Sequence, residues 1–283
     1  MNRKSLFIVF LILAGLDILV FVFIVFRPAA FSEKALYFID VGQGDSQMIA
    51  LPNDVQIIID GGPDAKVLNG LTKILPLKDR YIDIVIATHP QLDHIGGLVY
   101  ILNTYDVGLV VTNGRRADSA VYRNFEKIIR DKKIPAVALK EGDKIKYGRS
   151  VLNILSPPKN NASGSDPNDL AIVALLRNPE ISALYTSDAG FLTEEYIRRK
   201  YNLAVDVLKV GHHGSKYSSG AVFLKEVRPS ISIIEVGKNN YGHPTEEALK
   251  RLRDIGSRIY TTLEHGTIKL LPTADGIKVL GNR

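Results

Sequence analysis

The sequence predicts an α/β protein in which two β-sheets pack face to face with helices outside, behind one N-terminal transmembrane helix. Three observations point there. Residues 5–26 (SLFIVFLILAGLDILVFVFIVF) form a run of 22 residues with one charge. Beyond it, a group of strand-length apolar runs followed by helical runs occurs loosely twice. Strand hairpins precede the first helix, which excludes a simple doubly wound sheet.

The apolar run comes first. At 1.5 Å rise per residue it reaches about 33 Å, enough for a hydrocarbon core of roughly 30 Å. A cleaved signal peptide would have an apolar stretch of about 7–15 residues and small residues at the cut. Here the run is longer, and Pro28 stands where a small residue is wanted before a cut after Ala30. An uncleaved anchor with a short linker is therefore expected over 1–30, and one catalytic-sized domain over 31–283. Asp17 within the span costs about 2.5–3.5 kcal/mol on insertion scales, which the surrounding Leu, Ile, Val and Phe outweigh. Arg3 and Lys4 precede the run without an acid, which places the N-terminus in the cytoplasm and the domain outside.

The domain then proceeds element by element. Ala35–Asp40 reads as a strand, and Gly42-Gln-Gly-Asp45 as a loop. Strands 46–51 and 55–60 follow, joined at Pro52-Asn-Asp54. Lys66–Leu75 has the helical spacing Val67, Leu71, Ile74, Leu75. Ile82–Thr88 is a buried-strand run, after which Gly96 and Gly97 are expected to turn the chain into a helix over 96–103. Strands are expected at 109–111, 136–139 and 151–155, with an amphipathic helix at 120–132. A polar stretch spans 157–168. Strands return at 170–176, 182–186, 205–210 and 231–236, with helices at 194–201 and 221–227. A helix at 245–255 has Thr245 as its N-cap. Strands at 258–261 and 267–271 close the chain.

Composition narrows the chemistry. With 46% apolar residues, a chain of 283 residues builds a sizeable core, and 23% charged residues without a biased tract argue against disorder. There is no cysteine, so disulfides and thiolate metal sites are both excluded, and any metal must sit on His, Asp, Glu, Asn or Gln. The net charge is +6, of which residues 27–283 carry +5. That leans towards polyanionic partners such as nucleic acid or anionic lipid.

Three strand ends deliver ligand-type residues. The run from Ile84 ends in His89-Pro-Gln91-Leu-Asp93-His94, the run from Ala183 in Asp188, and the run from Val207 in His212-His213. Polar side chains at the C-terminal ends of strands are where α/β-type sites lie. Imidazole with carboxylate and no sulfur suits zinc, manganese or iron. A pair of bland surface histidines would not repeat the same context at three strands.

The pattern His89-x-Gln91-x-Asp93-His94 resembles the signature of the metallo-β-lactamase superfamily. Asp40-Val-Gly-Gln-Gly-Asp45-Ser46, Ile59-Asp60-Gly-Gly62, Asn168-Asp169-Leu-Ala-Ile-Val173, Thr186-Ser-Asp188, Lys209-Val-Gly-His-His-Gly-Ser-Lys216 and Asn240-Tyr-Gly-His-Pro244 are similar to the metallo-β-lactamase domain of the ComEC family of competence DNA-uptake channel proteins. The resemblance runs from about residue 35 to 271. It implies an αββα four-layer sandwich and one or two divalent metal ions, zinc or manganese. It also implies the ligands: His89 in site 1, Asp93, His94 and His212 in site 2, and Asp188 between them. A carboxylate can bridge two cations about 3.5–4 Å apart. Asn168 falls where the superfamily commonly has a further histidine. Gln91 departs from the usual Asp or His and weakens site 1. Asp60, Asp45 and His213 are candidate supports or further donors. With one candidate span, the chain is expected to be a stand-alone hydrolase domain rather than the channel, and a membrane channel protein is a candidate partner.

The implied chemistry is metal-assisted hydrolysis of a phosphodiester, DNA above all. Asp93 would orient or deprotonate the water, and His243 would serve as donor or general acid. Lys216, Asn240 and Tyr241 flank the motifs and would contact phosphates or stack a base. Two other functions compete: hydrolysis of a small ester, lactone or β-lactam, and a non-catalytic module that binds DNA or a channel.

Overall fold

The computed structural model describes residues 34–159 and 167–283. The expected anchor over 5–26 and the boundary at residue 30 lie outside them. Among the described residues no helix is long and apolar enough to cross a membrane.

The chain runs β1 (Ala35–Phe38), β2 (Gln47–Leu51), β3 (Val55–Ile59), α1 (Lys66–Ile74), β4 (Tyr81–Ala87), α2 (Leu92–Thr104), β5 (Asp106–Thr112) and α3 (Ala120–Asp131). Next come β6 (Ala136–Ala138), β7 (Lys144–Tyr147), β8 (Ser150–Ser156), β9 (Val173–Arg177), β10 (Ala183–Tyr185), α4 (Phe191–Arg198), β11 (Val207–Lys209) and α5 (Ala221–Val227). The chain closes with β12 (Ile231–Ile234), α6 (Glu246–Asp254), β13 (Arg258–Thr261), α7 (Thr262–His265), β14 (Ile268–Thr273) and β15 (Gly276–Gly281). The first sheet has the order β15-β14-β1-β2-β3-β4-β5-β6, and the second β13-β12-β11-β10-β9-β8-β7.

The central strands are apolar on both faces because both faces are covered. In β1, Leu36 and Phe38 point between the sheets, where they meet Ile154, Tyr185 and Val207 of the second sheet. Ala35 and Tyr37 point the other way, into a cluster with Val67 of α1, Leu98 of α2 and Phe125 of α3. On the outer face of the second sheet, Leu184 and Leu208 pack with Ile197 of α4, Leu224 of α5 and Leu252 of α6. The result is the αββα four-layer sandwich.

The parallel strands β3 to β6 and β10 to β13 finish at one pole, where the loops after β4 and β10 touch through Thr88 Oγ1 and Ser187 Oγ at 2.8 Å. Lys34, just before β1, lies at the opposite pole. It pairs there with Glu180 of the β9–β10 turn at 2.8 Å, and Glu180 also takes Arg149 of the β7–β8 turn at 3.2 Å.

Several elements differ from the sequence reading. The helix expected at 96–103 begins at Leu92, so Asp93 and His94 stand in its first turn and Gly96 and Gly97 lie inside it. The glycines serve close packing rather than turning. A Cβ on Gly96 would sit 2.1 Å from the Pro63 carbonyl oxygen, and one on Gly97 1.8 Å from that of Gly61. Leu170 belongs to a short turn of helix over Pro167–Leu170 rather than to the strand. β7, α7 and β15 escaped the sequence reading. β7 and β15 are edge strands whose mixed exposure leaves no apolar run. Thr245 caps α6 as expected, accepting from the Ala248 N–H at 3.3 Å.

Candidate metal centre

The centre is assembled from strand exits. The first turn of α2 is stitched to its surroundings by backbone bonds. The Asp93 carbonyl accepts from Asp45 N–H at 3.1 Å, the His94 carbonyl from Gly61 N–H at 2.7 Å, and Gly97 N–H donates to the Gly62 carbonyl at 2.7 Å. This holds Asp93 and His94 at fixed depth. Asp188 follows β10, and the chain after β11 enters left-handed backbone at His212 (φ 49°) and His213 (φ 54°). Asp60 (φ 57°) and Ser187 (φ 48°) share that conformation. Each such non-glycine residue costs about 1–3 kcal/mol, and their collection here marks a functional site.

Four ligand atoms, from Asp93, His94, Asp188 and His213, all lie within 4.8 Å of one another. His94 Nε2 is 3.4 Å from Asp188 Oδ1, which is 3.8 Å from His213 Nε2. Asp93 Oδ2 is 3.3 Å from His213 Nε2 and 4.0 Å from His94 Nε2. Ligand bonds of about 2.1 Å in a tetrahedral site give edges of about 3.4 Å, so these spacings fit a divalent cation. The electrostatics agree. Burial works against charge throughout. Even so, Asp188 and Asp60 hold the His94 ring well above the usual imidazole range, and Asp188 and Asp45 lift His213 to about 10. In turn His94 and His213 hold Asp188 well below the usual carboxylate range. The carboxylates thus gather positive charge on the imidazoles, the role a divalent cation would take over.

The supports are equally defined. His94 Nδ1 is 2.7 Å from Asp60 Oδ2, and Asp60 accepts from the Thr88 N–H at 2.8 Å and hydroxyl at 2.6 Å. The His213 Nδ1–H meets the Glu235 carbonyl at 2.9 Å. Asp45 Oδ1 lies 3.2 Å from the same His213 nitrogen, so Asp60 and Asp45, both fully buried, stand behind the two rings in the position of supports. Carboxylate–histidine pairs of this kind orient metal ligands.

The other expected residues are distributed around this cluster. His89 is buried with its ring centroid 4.0 Å from that of His94, and its Nε2 makes no hydrogen bond among the described residues. Burial and His94 push its pKa down to about 4, leaving a neutral ring able to accept a cation. His213, expected as a support or further donor, falls within the four-donor group, and His212, expected as a ligand, falls outside it. His213 joins Asp93 and His94, while the more exposed His212 sits 3.7 Å from the other Asp188 oxygen, Oδ2. The left-handed turn decides this, because successive side chains there diverge.

A cleft of about 450 Å³ opens above, lined by Gln91, Asp93, Asn168, Asp188, His212, His213, Tyr241 and His243, with Gln43, Pro63 and Leu92 completing it. Of the three expected substrate residues, Tyr241 alone is among these. Lys216 and Asn240 are exposed outside it, Lys216 with its ammonium 5.1 Å from the Tyr217 ring centroid. His243 stands 5.7 Å from His212 between ring centroids, and its Nδ1 has no hydrogen-bond partner among the described residues. Burial and the two neighbouring histidines lower its pKa, so the ring rests neutral. Gln43 and Lys209 went unassigned in the sequence, although both stand inside motifs that carried the resemblance.

Comparison with known proteins agrees with this geometry. Residues 56–262 match the family described as the beta-lactamase superfamily domain. ComE operon protein 3 of Bacillus subtilis (strain 168) is 30% identical over 265 residues, covering 86% of this chain and 33% of that protein. Recombination protein 2 of Haemophilus influenzae is 29% identical over 266 residues, covering 90% of this chain and 31% of that protein. The chain thus spans about a third of the length of these relatives. Among solved structures, the metallo-beta-lactamase fold protein YhfI from Bacillus subtilis superposes with a TM-score of 0.57 at 12% identity, over 84% of this chain and 99% of that one. The family match over most of the domain, the shared fold and the clustered donor set together show that this chain belongs to the metallo-β-lactamase superfamily, whose fold is that of metal-dependent hydrolases.

Proposed function

We propose that the chain is a metal-dependent phosphodiesterase that cleaves DNA and is held at a membrane by residues 5–26. The observation that carries the reading is the four-donor cluster at the floor of an open cleft. The name of one relative, Recombination protein 2, speaks of DNA metabolism, and the +5 charge of residues 27–283 favours a polyanion. Lys34 stands at the pole opposite the cleft, so a tether there would leave the mouth turned away from the membrane.

Asp93, His94, Asp188 and His213 would hold the cation, with His89 and His212 as donors towards a second one. The cation would supply an acidified water and charge stabilisation for a phosphoryl oxygen. Asp93, partly exposed on the cleft floor and held ionised by His213 and His94 against its burial, orients the water and takes its proton. Neutral His243 at the wall donates a hydrogen bond to a phosphoryl oxygen. Tyr241, 75% exposed, offers a face on which a base can stack.

The test incubates the full chain in detergent with manganese or zinc and with single- and double-stranded DNA, beside Asp188→Ala and His213→Ala. Metal-dependent cleavage reduced at least about 100-fold in both variants supports the reading. Stoichiometric metal without DNA cleavage points to small esters or lactams. Salt-dependent DNA binding with no metal bound points to a non-catalytic module.

A further inference from the structure

Lys209, the last residue of β11, is wholly buried beneath the metal centre. Burying an ammonium costs several kcal/mol unless it is paired and hydrogen-bonded. Here both conditions are met, and the partners come from different sheets. Its Nζ pairs with Asp45, from the loop between β1 and β2, and donates to the Ser187 carbonyl at 3.0 Å, in the loop after β10. Asp45 in turn reaches the centre, with Oδ1 3.2 Å from His213 Nδ1 and Oδ2 3.9 Å from His94 Nδ1. Ser187 is the neighbour of Asp188 and holds a left-handed backbone. Glu235, also wholly buried, completes the surroundings, accepting from Ser46 N–H at 3.0 Å and taking the Gln47 amide.

Asp45, Asp60 and His94 form a second group whose ligand atoms lie within 4.8 Å of one another. Without Lys209, that acid pocket would lack its fixed cation directly under the metal ligands. A lysine suits the place because its ammonium is a compact point charge, where a guanidinium would need a planar fork of acceptors.

We propose that Lys209 is a positioning residue for the metal centre, a built-in monocation that clamps Asp45 and the Ser187 carbonyl and so sets His213 and Asp188 at ligand spacing. The ammonium draws the two sheets' loops to one point. Asp45, held from below, lies 3.2 Å from His213 Nδ1 and adds its charge to the Glu235 carbonyl that receives that N–H, both on the side away from the metal-facing nitrogen. The Ser187 carbonyl, held from the same point, fixes the backbone that carries Asp188. This rests on the reading of the centre as a metal site and is independent of DNA as the substrate.

The test measures manganese and zinc binding to the full chain by calorimetry and elemental analysis, together with thermal unfolding of the metal-free protein. Lys209→Met leaves the buried Asp45 charge without its ammonium partner and with only the His213 and His94 rings beside it, so both stability and affinity are expected to fall. The deciding variant is the double replacement Asp45→Asn with Lys209→Met, which removes both charges at similar volume. It is expected to unfold within a few degrees of the wild type yet bind metal about 10–100-fold more weakly, the scale of lost ligand-orienting partners. A double variant with wild-type affinity overturns the proposal and leaves the pair a feature of folding alone. A wild-type chain that binds neither metal overturns the metal reading and this proposal with it.

Discussion

Replacing Gly97 by alanine sets two effects of opposite sign against each other. Gly97 lies inside α2, where alanine is favoured over glycine by about 1 kcal/mol. On helix propensity alone, Gly97→Ala stabilises. Packing argues the reverse. The new Cβ would stand 1.8 Å from the Gly61 carbonyl oxygen, 2.7 Å from its carbon and 2.9 Å from the Asp64 carbonyl oxygen. A tolerable approach is 3.0 Å, so the helix must retreat by about 1.2 Å against backbone that cannot rotate away. Overpacking of this kind costs about 1–3 kcal/mol, and retreat also stretches the Gly97 N–H bond to the Gly62 carbonyl, worth about 1 kcal/mol. Net destabilisation of about 1–3 kcal/mol is expected, a fall in Tm of roughly 3–10 °C for a domain of this size. Because Asp93 and His94 ride one turn before it on the same helix, metal affinity is expected to drop at least about 10-fold. Circular dichroism melting and metal titration of the variant check both. A Tm equal to or above wild type, with unchanged metal affinity, would refute the close-packing argument.

Other expectations follow from the centre and its surroundings. His213→Ala should reduce affinity for the first metal bound by at least about 100-fold and His212→Ala by clearly less, read by calorimetry; the reverse ranking would restore the assignment made from the motif. His243→Ala should leave metal affinity within about twofold and lower kcat about 10²–10⁴-fold on a phosphodiester, the range of a single proton-transfer or donor group; an unchanged kcat would remove it from the mechanism. Glu194 is buried under the N–H groups of Ser219 and Gly220, and burial lifts its pKa to about 7 against those bonds and Arg251. Between about pH 4.5 and 7 the folded carboxyl keeps a proton that the unfolded one releases. Stability should therefore fall across that window, by at most about 3 kcal/mol, and add no slope above it. Urea titrations of wild type and Glu194→Gln at pH 5, 6 and 7 test this: equal slopes with pH would show that the group does not hold a proton in the fold.

Much was legible in the chain itself. Alternation and run length marked most strands because burial on both faces demands continuous Val, Ile and Leu, as in Ile57-Ile-Ile59 and Val85-Ile-Ala87. Ligand-type residues were legible wherever one closed such a run, which is why His89, Asp93, His94 and Asp188 stood out as candidates at their strand exits; the last three gather with His213 in the structure. Edge strands β7 and β15 were not legible, because pairing on one side and partial exposure leave no apolar pattern. The sequence alone therefore determined the layered α/β architecture and the donor types available for a metal. Only the tertiary structure decided which donors converge. Two adjacent histidines look alike in a motif, but the left-handed backbone at His212 and His213 sends their rings to different oxygens of Asp188. Gly96 and Gly97 looked like a turn, but their use is an approach of two backbones, a property of the pair of segments. Lys209 looked like one polar residue in an apolar strand. Its meaning lies in Asp45, 164 positions earlier, which the fold brings within reach of its ammonium.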